Sequence, residues 1–303
     1  MRIILMGGHD LGKRTLKYLI EKGKNIVAVV TDTKDDWYKG VDVIAEEYGL
    51  TLFKNVDINS DQFINSVTKL EPDLIVVVNF QQILKEKIIA IPKFGCINTH
   101  ASLLPQYRGR APLNWALIHG EKQVGVTVHF IETGIDTGNI IVQQPIDVDN
   151  NEYIDSVLDK VAKVYPTIVN TAIDKIKDDK TKGVKQNLNL GSYYGKRTPE
   201  DGEINWNDEA VNIINLIRAI SKPYPGAYSY YEGEKIVFWK AEIANQLDRH
   251  IIYSNGQIIS LDNKGICIKA KTNNILITEY ETINSSVNIS AGSSFIYVGK
   301  NYV

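Results

Sequence analysis

Short apolar runs alternate with helix-compatible segments along the first half of the chain. Ile3–Met6 ends at Gly7-Gly8, a helix-compatible stretch follows from Leu11 to Lys22, and Ile26–Val30 is a second apolar run. This strand–helix–strand opening favours a parallel sheet with helices on its faces. Leu74–Val78 is apolar throughout, as expected of a strand buried on both faces. The pattern predicts a doubly wound, Rossmann-like α/β domain.

The same alternation continues beyond these runs. Helices are predicted at Trp37–Tyr48 and Gln62–Leu70, with a short strand at Leu52-Phe53 between them. Later strands are expected at Gly95–Asn98 and at Gly125–Glu132, the second of which is rich in β-branched residues. These elements lengthen the predicted sheet.

The second half of the chain has a different pattern. Weak periodicity from Lys185 to Asn205 predicts a linker, and Asn207 or Asp208 is expected to cap a helix with apolar residues at helical spacing. Short strands then follow one another, separated by turn signals such as Asn255-Gly256. This pattern favours a small β-barrel or sandwich, and we expect a β-barrel-like (OB-like) domain.

Length and composition agree with two soluble domains. The chain has 303 residues, 44% of them hydrophobic and 23% charged, as in ordinary globular proteins. We therefore predict a catalytic domain with its linker at residues 1–205 and a smaller C-terminal domain at 206–303. Cys96 and Cys267 have neither disulfide-framework nor metal-site spacing, which favours reduced thiols.

Charge and hydropathy limit the partners that we expect. The net charge is −2, so no global basic excess favours nucleic acid. The first apolar run reaches Gly7 too soon for a signal peptide, and no run is long enough to cross a bilayer. We expect a cytoplasmic protein with no membrane or nucleic-acid partner.

Three polar residues near predicted strand ends form a candidate site. Asn98 and His100 leave one strand on a shared face, and Asp136 follows the next strand in a loop flanked by Gly134 and Gly138. An amide can stabilise an oxyanion, an imidazole can move a proton, and a carboxylate can orient the imidazole. A structural histidine and a turn-forming aspartate are equally compatible with this spacing.

The other histidines lack such partners in the sequence. His129 alternates within a strand, and His119 and His250 have no such partners nearby in the sequence. All three are predicted to be structural or solvent-facing.

A long motif reduces the number of functions that we consider for the candidate site. Asn98–Pro105, Arg108–Pro112 and Asp136–Gly138 resemble the motif of the 10-formyltetrahydrofolate-dependent formyltransferases. Ile204–Trp206 and Pro223–Ala227 are similar to the junction between the two domains of that family. The resemblance covers nearly the whole chain and thins after about residue 245. The family includes formyltransferases that act on methionyl-tRNA, glycinamide ribonucleotide and nucleotide-linked sugars.

The resemblance implies a mechanism and a cosubstrate. Asn98 would stabilise the tetrahedral intermediate, and His100, positioned with Asp136, would move the proton to the departing folate nitrogen. The cosubstrate would be 10-formyltetrahydrofolate, with no metal. Its pterin would lie at a strand end, against Asn79, Phe80, Gln81 and Ile83. It would also contact Asp136 in the loop flanked by Gly134 and Gly138.

Several segments are similar to the sugar-modifying branch of the family. Gly8–Gly12 differs from the start usual in methionyl-tRNA formyltransferases, and Thr31–Tyr38 is short and acidic where those enzymes carry a basic loop. We expect the acceptor to be a nucleotide-linked amino sugar, a 4-amino sugar on UDP or dTDP, used for surface-polysaccharide or lipopolysaccharide biosynthesis. Candidate substrate-binding residues are His9, Tyr38, Arg110, Asn114, Lys196 and Arg197.

Each of these residues also has a plainer interpretation. Arginine suits bidentate phosphate contacts, but Lys196-Arg197 also fits a solvated basic pair. Trp37-Tyr38 would equally suit packing on a helix face, and His9-Asp10 could simply begin a helix.

Alternative functions remain open. Residues 206–303 contain nine Lys or Arg and nine Asp or Glu, a poor balance for gripping tRNA, so methionyl-tRNA formylation is the second hypothesis. A non-catalytic nucleotide-binding module and a formyl-folate hydrolase are further hypotheses. A homodimer formed through an apolar C-terminal strand is also left open.

Overall fold

The computed structural model describes residues 1–33, 40–244, 252–282 and 289–299. The elements of the first part are β1 (Arg2–Gly7), α1 (His9–Glu21), β2 (Asn25–Thr31), α2 (Val41–Glu47), β3 (Thr51–Lys54), α3 (Asp61–Lys69), β4 (Leu74–Val78), α4 (Glu86–Ile89), β5 (Cys96–His100) and β6 (Arg108–Gly109). The remaining elements are α5 (Pro112–Ile118), β7 (Gln123–Phe130), β8 (Ile140–Asp147), α6 (Ile154–Asp178), β9 (Tyr193–Tyr194), α7 (Ala210–Ile220), β10 (Ala227–Tyr231), β11 (Glu234–Ile243), β12 (Ile258–Asp262), β13 (Gly265–Lys269) and β14 (Asn274–Thr282).

The chain divides into two compact units. The first consists of residues 1–109, 123–147 and 159–194, and the second of residues 110–122, 148–158 and 195–303. The second unit thus includes two segments from the first half of the chain. The predicted domain boundary at residue 205 remains a prediction.

A seven-stranded sheet forms the centre of the first unit. Its strand order is β3-β2-β1-β4-β5-β7-β8, with parallel pairing from β3 through β5. The residues of β4 are all buried, as their uninterrupted apolar run predicts. At the other side of the sheet, β7 pairs antiparallel with β5, and β8 pairs antiparallel with β7. The α/β fold class is therefore confirmed as a mixed Rossmann-like sheet.

The strand order reverses between β1 and β4, and in open α/β sheets ligands commonly bind at the carboxyl ends of the strands at such a point. β1 ends at Gly7, and α1 begins two residues later. A Cβ on Gly12 would lie 3.2 Å from the carbonyl carbon of Gly7, so a glycine lets the helix approach the strand closely. The β5 strand, which carries the candidate residues, lies next to β4 and ends at the same edge.

The segment predicted to be a linker contains short 3₁₀ turns at Leu188–Leu190 and Pro199–Gly202, and its β9 pairs with β6. One prediction about the following helix needs correction. The helix expected to be capped by Asn207 or Asp208 begins at Ala210 with Glu209 at its N-cap. Asp208 instead accepts a hydrogen bond from the Glu209 amide, so it supports the turn just before the helix.

A five-stranded antiparallel sheet forms the main part of the second unit. Its strand order is β10-β11-β14-β13-β12, which confirms the expected succession of short strands. The segment 289–299 connects the two edge strands, because Ile296 pairs with Tyr230 while Ser294 pairs with Gln257. This segment, the closing segment, gives the sheet its barrel-like form.

Candidate active site

Strand pairing sets the position of the first candidate residues. Asn98 and His100 lie on β5, whose antiparallel neighbour β7 places His129 directly opposite Asn98 and Thr127 opposite His100. Directly opposed residues project on the same face of a sheet, and their Cβ atoms lie about 5 Å apart. The register therefore brings an amide and two imidazoles to one patch.

The loop between β7 and β8, residues 131–139, brings Asp136 to the same patch. Asp136 has a φ of 54°, in the left-handed region that ordinary residues rarely adopt. Gly138 is required by its surroundings, since a Cβ there would lie 1.9 Å from the Phe130 carbonyl oxygen. Gln186, which is buried, donates from Nε2 to the carbonyls of Asp136 and Gly138 at 2.9 and 2.7 Å. A side chain distant in sequence thus holds the strained loop.

The protonation of His100 follows from its contacts. Its Nε2 lies 2.8 Å from the Tyr107 carbonyl oxygen, which can only accept, so Nε2 carries a hydrogen. Nδ1 lies 3.6 Å from Oδ2 of Asp136 and is the atom left to take up a proton. Burial lowers the pKa of His100, an effect partly opposed by Asp136 and the Tyr107 carbonyl. Neutral His100 is therefore available as a base.

Asp136 is held as a carboxylate. Burial opposes its ionisation, but contacts from His129, His100 and the Gly109 amide outweigh burial and lower its pKa far below the usual range. The Gly109 N–H donates to Oδ2 at 2.9 Å. Residues 107–109 therefore hold both groups, His100 through a carbonyl and Asp136 through an amide.

His129 belongs to this patch, although its sequence context predicted a structural or solvent-facing role. The side chain is buried, and its Nε2 lies 3.5 Å from Oδ1 of Asp136 and 3.5 Å from Nδ2 of Asn98. The sequence shows His129 within a strand but not which strand lies beside it. Only the pairing of β7 with β5 reveals the contact.

The predicted pterin-binding residues follow β4. Asn79 has a φ of 52° and Phe80 packs on the buried core of the first unit, whereas Ile83 is 69% exposed. Gln81 is also exposed. The segment thus offers exposed groups at the carboxyl edge of the sheet, and its role in folate binding remains a prediction.

The predicted substrate-binding residues are divided between the two units. His9, in the first unit, begins α1 with a φ of 59°. Arg110 and Asn114 lie in the second unit, where Arg110 is exposed and Asn114 is buried. The amide of Asn114 donates to the Ala219 carbonyl at 2.8 Å, so its side chain joins α5 to α7. Tyr38 lies outside the described residues.

Lys196 and Arg197 also lie in the second unit, with different surroundings. Lys196 is exposed. The guanidinium carbon of Arg197 lies 4.7 Å from the ring centroid of Trp115, and Nη2 donates to the Asp201 carbonyl at 2.7 Å. Arg197 is therefore oriented by stacking, and the substrate roles of both residues remain predictions.

Two searches concern only the described parts of the chain. Within residues 1–33, 40–244, 252–282 and 289–299, no group of three or more His, Cys, Asp and Glu side chains could hold a metal ion. None of the helices in these ranges combines the length and apolar character that a membrane span needs. Cys96 and Cys267 are both free and buried.

Comparison with protein families identifies the class. Residues 1–173 match the formyl transferase model, and residues 196–290 match that of the formyl transferase C-terminal domain. The chain therefore belongs to the formyl transferase family, whose members are enzymes that transfer a formyl group.

Two curated relatives differ in the function they carry. The chain is 33% identical to a methionyl-tRNA formyltransferase of Geobacter sulfurreducens over 93% of its own length and 89% of the relative. It is 35% identical to the bifunctional polymyxin resistance protein ArnA of Wigglesworthia glossinidia brevipalpis, over 94% of its own length but only 44% of ArnA.

Solved structures support the fold. The chain matches WlaRD, described as a sugar 3N-formyl transferase with dTDP and 5-N-formyl-THF, at a TM-score of 0.70 and 22% identity over 94% of this chain and 98% of WlaRD. It also matches HypX from Aquifex aeolicus in complex with tetrahydrofolic acid at a TM-score of 0.64 and 18% identity. That match covers 94% of this chain, which spans less than half, 44%, of HypX.

Proposed function

We propose that the protein transfers the formyl group of 10-formyltetrahydrofolate to the amine of a nucleotide-linked amino sugar, with Asn98, His100 and Asp136 as the catalytic groups. The neutral amine attacks the formyl carbon, the bond from that carbon to N10 of the folate breaks, and the amine proton moves to N10. Asn98 donates to the oxygen of the tetrahedral intermediate, and Nδ1 of His100 carries the proton. Asp136 stabilises the imidazolium while it exists.

The charge of the C-terminal domain is the observation that favours a nucleotide-linked sugar over tRNA as the acceptor. Residues 196–290 contain ten Lys or Arg against twelve Asp or Glu, a net charge of −2. Binding to tRNA depends on several cations that neutralise phosphates, so this balance favours a small acceptor.

Contacts of the described residues strengthen this argument, because four of the ten cations in residues 196–290 already interact with protein groups. Lys222 and Lys240 pair with Glu279 at 3.3 and 2.9 Å, and Lys235 lies over the Tyr228 ring. Arg218 is buried and donates to backbone carbonyls. These four cations are less available to a polyanion than exposed cations without such contacts would be.

Arg110, Lys196 and Arg197 are the proposed diphosphate-binding residues. Arg110 and Lys196 are exposed, and the guanidinium of Arg197 is already oriented by its stacking on Trp115. Two or three charge-assisted contacts of about 1.5–3 kcal/mol each are enough to anchor a diphosphate. The product would serve surface-polysaccharide or lipopolysaccharide biosynthesis.

Methionyl-tRNA formylation is the second candidate. It is favoured by the 33% identity to the Geobacter sulfurreducens enzyme, which extends over 89% of that protein. The relative with a different description, ArnA, has a similar identity. Sequence identity is therefore similar for relatives with two different descriptions.

A direct competition separates the two candidates. Purified protein receives 10-formyltetrahydrofolate with either methionyl-tRNA or a panel of UDP- and dTDP-linked 3-amino and 4-amino sugars, and formylated product is measured by mass spectrometry. We expect turnover of at least one nucleotide-linked sugar. Efficient formylation of the tRNA, with no sugar turned over, would establish the second candidate instead.

Arg110→Ala provides a further test. We expect it to raise KM for the nucleotide sugar by roughly 10-fold or more, as for the loss of a charge-assisted contact, and to leave folate binding unchanged. Lys264→Ala, which removes an exposed lysine from the turn between β12 and β13, is the matched control. Equal KM values for the two variants would remove Arg110 from the proposed site.

A further inference from the structure

His129 lies where it can act on two of the proposed catalytic residues at once. It is directly opposite Asn98 across the β5–β7 pair, and its side chain is 2% exposed. Its Nε2 is 3.5 Å from Nδ2 of Asn98 and 3.5 Å from Oδ1 of Asp136. Contacts of this length in a free enzyme commonly shorten when the reacting complex forms.

The other nitrogen of the ring determines what Nε2 can do. Nδ1 of His129 lies 2.7 Å from the Phe130 carbonyl oxygen, which only accepts, so Nδ1 must carry a hydrogen. In the neutral ring, Nε2 therefore has a lone pair and accepts from the Asn98 amide. That bond uses one amide hydrogen of Asn98 and leaves the second for an oxyanion.

The carboxylate of Asp136 lies between two imidazoles, with Oδ1 towards His129 and Oδ2 towards His100. Tyr165, buried on α6, also interacts with Asp136, whose charge together with burial raises the pKa of the tyrosine. It therefore remains a neutral phenol beside the carboxylate. One carboxylate can stabilise one imidazolium, and a second positive ring nearby is opposed by like-charge repulsion.

We propose that His129 is a positioning residue for formyl transfer, which holds the Asn98 amide with its nitrogen towards the reacting oxygen and shares Asp136 with His100. This inference rests on the proposed catalytic roles of Asn98, His100 and Asp136. It assigns to His129 two separable effects. As an acceptor it orients Asn98, and its ring beside Asp136 contributes to the lowered pKa of His100.

Two substitutions separate these effects. Glutamine at position 129 can still accept a hydrogen bond from Asn98 and donate one to Asp136, but it cannot become positively charged. Phenylalanine can neither accept nor donate a hydrogen bond, and it cannot become charged. We expect His129→Phe to lower kcat by about 10- to 100-fold, less than the complete loss of an oxyanion donor. His129→Gln should retain kcat within about threefold of wild type, because the amide contact survives.

Both variants should move the acid limb of the kcat/KM profile to higher pH, because the ring of His129 then no longer lowers the pKa of His100. His119→Gln, which removes an exposed histidine of the second unit, should keep the wild-type profile. The assay follows tetrahydrofolate release with whichever acceptor is turned over, a nucleotide-linked amino sugar or methionyl-tRNA.

A direct measurement does not depend on the acceptor. In protein labelled with ¹⁵N-histidine, neutral His129 should show a protonated Nδ1 and an unprotonated Nε2, and the signal should be absent from His129→Gln. The opposite tautomer would overturn the inference. The inference would also be overturned if His129→Phe and His129→Gln both had the wild-type kcat and the wild-type acid limb. Full turnover by His100→Ala would instead refute the proposed catalytic roles, while leaving the observed tautomer as measured.

Discussion

At the scale of single residues, two histidines each donate from one ring nitrogen to a backbone carbonyl, His100 from Nε2 to Tyr107 and His129 from Nδ1 to Phe130. The other nitrogen of each ring faces Asp136. Because the carbonyls cannot donate, the protons available for chemistry are confined to the side of the rings where the carboxylate lies. The fold therefore sets the tautomers before any substrate arrives.

The first prediction concerns the three catalytic candidates. His100→Ala should lower kcat by about 10²–10⁴, the usual contribution of a positioned acid–base group. Asn98→Ala should lower it by roughly 10²–10³, as for one oxyanion donor, and Asp136→Asn should be comparably damaging. Turnover is measured with folded protein, verified by circular dichroism. Wild-type turnover in His100→Ala would show the assigned mechanism to be wrong.

The second prediction concerns Gly109, whose amide holds Asp136. It has a φ of 96°, and a Cβ there would lie 2.3 Å from the Tyr194 carbonyl oxygen. Gly109→Ala should therefore separate β6 from β9, weaken the bond to Asp136 and lower kcat by at least about 10-fold. Gly195→Ala is the control, since its added methyl meets no atom within 4 Å. If the two variants have the same kcat, the Gly109 amide does not position Asp136.

The sequence predicted some of these residues but not all. Asn98, His100 and Asp136 were found because two segments of a long motif, Asn98–Pro105 and Asp136–Gly138, contain them, although their catalytic roles remain predictions. His129 was missed because strand adjacency is not encoded in local periodicity. The substrate role of Asn114 stays a prediction, and the sequence did not show that its amide donates to Ala219, a residue more than a hundred positions away. Local sequence patterns do not encode contacts between such distant positions.

At the scale of elements, the segment after α6 matters for the loop between β7 and β8 through Gln186. Its Nε2 donates to two loop carbonyls, while its Oε1 is buried without a hydrogen-bond partner among the described residues. The side chain therefore acts on the loop only as a donor. Such a contact can hold a strained backbone that would otherwise relax.

The third prediction follows from this contact. Gln186→Ala should release the loop and lower kcat by about 10-fold or more, because small displacements of catalytic groups are costly. Gln186→Glu should be worse, since a carboxylate would face two carbonyl oxygens. Gln144→Ala, at an exposed position on β8, is the control. A kcat unchanged in Gln186→Ala, measured alongside thermal unfolding, would show that the loop holds Asp136 without this side chain.

Apolar runs predicted the elements better than their arrangement. The apolar runs Ile3–Met6 of β1 and Leu74–Val78 of β4 lie in central strands, as expected of residues buried on both faces. The reversed direction of β7 was not predicted, because periodicity gives a strand its faces but not its direction. The segment 185–205 lacked a pattern because its elements are single turns and a two-residue strand.

At the scale of the whole molecule, the buried site should make stability depend on pH. Burial lowers the pKa of His100, so around the ordinary histidine value of about 6.5 the folded protein binds fewer protons than the unfolded chain. The free energy of unfolding therefore rises with pH through this region and falls on acidification. Asp136, with its pKa lowered, stays ionised throughout the same window.

The fourth prediction tests this linkage. Between pH 7.5 and pH 5, the free energy of unfolding should fall less in His100→Asn than in wild type, because the variant has lost the group whose protonation opposes folding. Urea unfolding at several pH values measures the difference. His119→Gln, which removes an exposed histidine, should follow the wild type. A steeper acid loss in His100→Asn would mean that His100 is favoured in its charged form.

The closing segment has a consequence for the order in which the protein is made. It joins β10 to β12, and it leaves the ribosome after every strand of the sheet that it completes. The last residue of the first unit, Tyr194, emerges earlier by about 5–20 s at ordinary translation rates. After β14 has emerged, the edges of β10 and β12 stay unpaired until the closing segment follows, while the unit that carries Asn98, His100 and Asp136 is already complete. A nascent chain interrupted between β14 and the closing segment would present open strand edges, which are templates for association with other chains.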